Sequence, residues 1–121
     1  GNGSLMRFAP VALFGHNLPA DELYKLAELS SYTTHPGVTA ALACMLLAHI
    51  IRKALHLPSG FLDPKAFLEE ATSEFLEKFS SQPGKPYEQF RQLAAGRPES
   101  PAERCWEWRN PECGICATLA A

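Results

Sequence analysis

Aspartate is almost missing from this chain. Asp21 and Asp63 are the only two, and no Asp-Asp or Asp-x-Asp string occurs, so the sequence offers no carboxylate cage for a divalent cation. A surplus of positive charge is also missing. Lys and Arg number 11 against 13 Asp and Glu, a formal net charge of −2, which leaves no basic stripe for nucleic acid. No apolar run reaches the ~20 residues of a membrane span. The longest, 38–47, is followed by His49 and closed by Arg52 and Lys53, a pattern that favours a buried helix over a membrane-crossing one. A second cysteine pair is absent as well. Cys113-Gly114-Ile115-Cys116 has a two-residue spacer and Cys105 could add a thiolate, but there is no second pair and no histidine after His56. Packing thiols are expected there instead of a zinc or redox centre, in a reduced, intracellular and cytoplasmic protein. The chain has no initiator methionine and no signal peptide, and Ala117-Thr118-Leu119-Ala120-Ala121 ends without a capping residue, so an excised piece is expected.

What is present is apolar periodicity. The 121 residues are 46% hydrophobic and 20% charged, the profile of a soluble globular chain able to bury one core. The expected fold is all-α. Residues 4–14 should be helical with Ser4 as N-cap, kinked or split at Pro10, which lacks an N–H and clashes with the carbonyl of Met6. Pro19 opens a second helix with Leu23, Leu26, Ala27 and Ser30 on one face and Asp21, Glu22, Lys25 and Glu28 largely on the other. The third, 36–55, is apolar nearly all round and should run through the centre, its Ala40, Ala41, Ala43, Cys44 and Ala48 allowing close neighbours. Asp63 caps a fourth helix with Pro64 at its first position, burying Phe67, Leu68, Ala71, Phe75, Leu76 and Phe79. Glu69, Glu70, Glu74, Glu77 and Lys78 form its solvated side, where surface charge is expected rather than metal ligation. After residue 81 the chain should be less regular, with a short helix at 87–95 turning Phe90 and Leu93 inward, a loop at 96–101, and Trp106 and Trp108 as packing residues.

Two segments carry the functional signal. Gly1-Asn2-Gly3-Ser4-Leu5-Met6-Arg7 places nearly bare backbone before a helix, where free N–H groups suit a phosphate or diphosphate. An ordinary turn and cap would have the same sequence. Tyr32-Thr33-Thr34-His35-Pro36-Gly37 precedes the long apolar helix, with Pro36 placed to be its first residue, so His35 would project from a second helix N-terminus or simply cap its own helix.

Taken together, Gly1-Asn2-Gly3, Leu5-Met6-Arg7, Ala9-Pro10-Val11 and Thr34-His35-Pro36 before an alanine-rich helix resemble the ADP-ribosylglycohydrolase family. A looser likeness continues through Cys105-Trp106-Glu107-Trp108 and the segment 115–119, so the resemblance covers most of the chain but only the central part of a complete enzyme. It implies an orthogonal helical bundle in which residues 1–121 form the central part of a single domain. It further implies hydrolysis of the N- or O-glycosidic bond joining ADP-ribose to a modified protein or small acceptor, with magnesium or manganese in the complete family member. By resemblance Gly1, Asn2, Gly3 and Ser4 belong to the ADP-ribose-contacting loop, and His35 matches the histidine of the Thr-His element. The family's metal ligands lie in aspartate-rich motifs that this chain lacks, so neither a metal site nor a catalytic residue is expected on it. The partners implied are ADP-ribose or an ADP-ribosylated protein, without nucleic acid or membrane. A non-catalytic helical module that binds ADP-ribose, another nucleotide diphosphate or a protein is the alternative.

Overall fold

The computed structural model describes residues 2–60 and 63–95. Among these lie six helices and no strand: α1 Gly3–Met6, α2 Ala9–Gly15, α3 Ala20–Tyr32, α4 Val38–Leu55, α5 Pro64–Lys78 and α6 Lys85–Ala95. The all-α architecture therefore follows the apolar periodicity. Gly1, the segment 96–101, the cysteines 105, 113 and 116 and both tryptophans lie outside the described residues, as does the side chain of Leu93.

Helix α4 is the organising element because its apolar residues leave it no solvent face over much of its length. Residues Ala40 to Leu46 in unbroken order, and Ala48, are buried, and each of the other five described helices packs against it. Four alanines among those buried residues keep the helix narrow, which lets neighbours approach closely. By length and composition alone α4 could cross a bilayer, at a mean hydropathy of 1.6, but the core of a helical bundle has the same composition.

The amino-terminal helix is split, three residues earlier than a break at Pro10 itself. The chain turns at Arg7 and Phe8, so Pro10 falls in the first turn of α2, where a missing N–H has no helical partner to lose. Phe8 is thereby driven fully into the core while Arg7 is left outside it. Gly15 closes α2 against α3: a Cβ there would stand 2.9 Å from Leu23 Cδ1 and 3.1 Å from Leu26 Cδ2.

Helix α3 buries Leu23, Tyr24, Ala27 and Ser31. That stripe is rotated from the expected one: Tyr24 and Ser31 are fully inside, while Leu26 and Ser30 are half-buried. Tyr24 wins its place through aromatic packing, edge-on to Phe75 at 5.8 Å and to Phe79 at 5.9 Å between ring centroids. Asp63 caps α5 as expected, accepting a hydrogen bond from the Lys65 N–H at 3.0 Å. Phe67, Ala71 and Phe75 are buried, whereas Leu68 on the same expected face is exposed. Helix α6 begins two residues before Tyr87, at Lys85, with Gly84 at φ +119° supplying the turn and its carbonyl accepting from the N–H groups of Tyr87 and Glu88. Phe90 is buried against Phe75, as its spacing requires.

Candidate functional site

The two segments singled out in the sequence come together at one edge of the bundle. Residues 33–37 connect α3 to α4: the Thr34 and His35 N–H groups donate to the Ser31 carbonyl at 3.2 and 2.9 Å, ending α3. The chain then runs extended through Gly37, whose φ −80° and ψ 130° make it the N-cap of α4. Pro36 is thus outside the helix, one residue before its cap, and His35 is set back from the first turn. The proline keeps His35 out of helical conformation, which leaves its ring to lie over α1 instead. There it meets Gly3. A Cβ on Gly3 would stand 2.9 Å from His35 Cε1 and 3.3 Å from Nε2, so the imidazole edge rests on backbone that only glycine leaves open.

Arg7 ties the two segments. Its guanidinium donates to the Ser30 carbonyl at 2.7 Å and to the Thr33 and Thr34 hydroxyls at 2.9 Å each. Thr34 Oγ1 in turn lies 2.8 Å from His35 Nδ1. The sequence pointed to Gly3 and His35 but assigned Arg7 no role; the signal was the split at Pro10, which frees the residue before Phe8 to turn outward.

Ser4 is not a cap. Asn2 is the N-cap of α1, without a side-chain capping bond, and Ser4 sits inside the helix with only 1% of its surface exposed. Its oxygen accepts from the Ser31 hydroxyl at 3.0 Å, and the Cys44 thiol approaches it at 3.9 Å. Burial pushes the Cys44 thiol above its ordinary pKa, with the contacts to Ser4 and Ser31 acting in the opposite sense. The pair of serines ties α1 to α3 at the residue that follows Gly3. The picture of two opposed helix N-termini also changes, since α1 is a single turn of four residues with little macrodipole to offer. What comes together here is the Asn2-Gly3 backbone and the His35 imidazole, with Arg7 and Thr34 holding the segment that carries the ring. Gly1 lies outside the described residues.

The ADP-ribosylglycohydrolase family model matches residues 1–120, and the match includes both of these segments. The chain belongs to the ADP-ribosylglycohydrolase family. Comparisons with curated proteins and with solved structures gave no match.

Divalent metal chemistry, implied by the ADP-ribosylglycohydrolase resemblance, does not fit the described residues. Asp21, in the first turn of α3, is ion-paired with Lys78, and Asp63 is engaged as the cap of α5. No group of three His, Cys, Asp or Glu able to hold a metal lies together among the described residues. Glu70 and Glu74 are exposed charges, as expected, and both reach Lys53 of α4, at 3.4 and 2.7 Å. The Lys53 contact holds the Glu74 carboxyl below its usual pKa.

A second polar cluster was not foreseen. The Tyr24 hydroxyl lies 2.7 Å from His49 Nδ1, and His49 Nε2 lies 3.4 Å from Glu74, an electrostatic contact without a hydrogen bond. This series of contacts joins α3, α4 and α5 at the margin of the core. Burial lowers the His49 pKa, opposed by Glu74, so the ring is neutral in the folded protein near neutral pH.

Proposed function

We propose that this chain supplies the ADP-ribose-binding wall of a hydrolase that releases ADP-ribose from modified proteins or small acceptors. The carrying observation is the approach of the His35 ring to bare backbone at Gly3, in a chain of the ADP-ribosylglycohydrolase family. A diphosphate is an anion that takes several hydrogen bonds at once, and charge-assisted bonds to phosphate oxygens are among the stronger ones in proteins. Asn2, the Gly3 backbone and His35 would receive it, with the Arg7 charge close by; Ser4, expected in this loop, is buried against Ser31 and can only support it. Cleavage at the anomeric carbon demands stabilisation of an oxocarbenium-like centre and a polarised water. The described residues provide groups for holding the nucleotide but no carboxylate placed for that step.

The engagement of both aspartates elsewhere favours a second reading for the chain on its own, a non-catalytic ADP-ribose binder. Metal-dependent release of ADP-ribose by the chain extended at both ends separates the two, whereas the 121-residue chain tests the donor-set argument they share. Incubated with ADP-ribosylated protein and magnesium or manganese, the 121-residue chain should bind the ligand yet release no ADP-ribose. Measured turnover would contradict the donor-set argument and direct attention to Glu69, Glu70 and Glu74.

A further inference from the structure

We infer that Arg7 is a positioning residue for His35. Acting through the Thr34 hydroxyl, it fixes the imidazole in the tautomer that carries its proton on Nε2, so that a hydrogen-bond donor faces an anion held over Gly3. That the anion is the diphosphate of ADP-ribose rests on the proposed function; the tautomer does not.

The argument is one of proton supply. A guanidinium has donors only, so every oxygen it meets must accept. The two hydrogens of Arg7 Nη2 are shared among the Ser30 carbonyl at 2.7 Å and the Thr33 and Thr34 hydroxyls at 2.9 Å, and each hydroxyl keeps a proton of its own to give. Thr33 gives its proton to the Ser30 carbonyl at 2.8 Å, the same carbonyl that Arg7 reaches at 2.7 Å. Thr34 Oγ1 lies 2.8 Å from His35 Nδ1; with Arg7 on one of its lone pairs, the proposed arrangement has the hydroxyl proton point to that nitrogen. A ring nitrogen that accepts carries no hydrogen, and in a neutral imidazole the other nitrogen must then carry it. That other nitrogen is on the edge that meets Gly3, 3.3 Å from the place a Cβ would take.

Neither Arg7 nor Thr34 has to touch the ligand for this to matter. Without the relay, the Thr34 hydroxyl can turn and accept from Nδ1–H, which presents a bare Nε2 lone pair to an anion. The site then repels what it should hold. An arginine suits the task because its charge and fork geometry keep it a donor under all conditions.

The test is nitrogen-15 NMR of the full chain labelled at histidine, with ADP-ribose titrations alongside. In the unmodified chain and in Thr34→Ser, His35 should show an acceptor-type Nδ1 and a protonated Nε2. In Thr34→Val and Arg7→Met both nitrogens should move towards the mixed population of an unconstrained ring. ADP-ribose affinity should fall about tenfold in those two variants and stay unchanged in Thr34→Ser. Arg7 and Thr34 are exposed, and the Thr34 pair alone decides the matter if Arg7→Met does not fold. A protonated Nδ1 in the unmodified chain overturns the inference, as does a Thr34→Val spectrum identical to it. If the Nε2–H tautomer is found and lost as stated while no form binds ADP-ribose, the positioning role stands and the proposed function fails.

Discussion

At the scale of single residues, polar groups that hold the fold are distinct from those proposed to face ADP-ribose. His49 belongs to the first kind. Its ring lies between Tyr24 and Glu74, and burial lowers its pKa from the ordinary 6.5 despite the nearby carboxylate. The unfolded chain therefore takes up this proton at a higher pH than the folded one. Stability is fully present above about 6.5 and is lost as pH falls through the lower folded pKa. Urea unfolding followed downward from neutral pH should show a decline that is shallower in His49→Gln, and parallel profiles would place the sensitivity elsewhere. Glu74 has the same sign at lower pH, its carboxyl being held down by Lys53, so its contribution fades only below the ordinary 4.5. The sequence could not disclose the His49 cluster. Residues 24, 49 and 74 meet only because three helices cross, and nothing in their spacing along the chain encodes that crossing. Gly3 and His35 were legible for a different reason: a glycine needed for close approach and a histidine held by a following proline are local signatures.

At the scale of the element, the sequence disclosed helices well where periodicity and caps agreed, and less well where two roles competed for one residue. Asp63 and Pro64 are an unambiguous start, and α5 begins there. Ser4 had the chemistry of a cap, but the split at Arg7 and Phe8 and the small side chains of Ser31 and Cys44 drew it inward. The difference has an energetic signature. At a true N-cap aspartate substitutes for serine at little cost. At a buried position beside another hydroxyl, Ser4→Asp places a charge without a partner and should cost about 3 kcal/mol or more. Asp63→Ala, by contrast, should cost about 0.5–2 kcal/mol, the ordinary loss of a cap. Chemical denaturation of the two variants provides the comparison, and full stability in Ser4→Asp would restore Ser4 as a cap. The face of α3 was displaced for a related reason. Tyr24 counts as polar in a pattern, yet its ring packs against Phe75 and Phe79, which no pattern along α3 alone reveals.

At the scale of the whole molecule, one apolar helix carries the other five described helices and thereby fixes where the two candidate segments meet. Helix α4 begins just after His35, α1 packs on both α3 and α4, and the buried Ser4, Ser31 and Cys44 join the three helices beneath the site. The central claim is that this junction binds ADP-ribose. Calorimetric titration of the chain with ADP-ribose tests it most directly, using the unmodified protein with Asn2→Ala, Gly3→Ala and His35→Ala. Asn2→Ala and His35→Ala should each weaken binding by about 1–3 kcal/mol, the scale of a lost hydrogen bond to a charged group, with helical content intact. Gly3→Ala should weaken it as well, because its Cβ would come within 2.9 Å of the His35 ring and displace it. Affinity unchanged in all three variants, or no binding by the unmodified chain, would contradict the account.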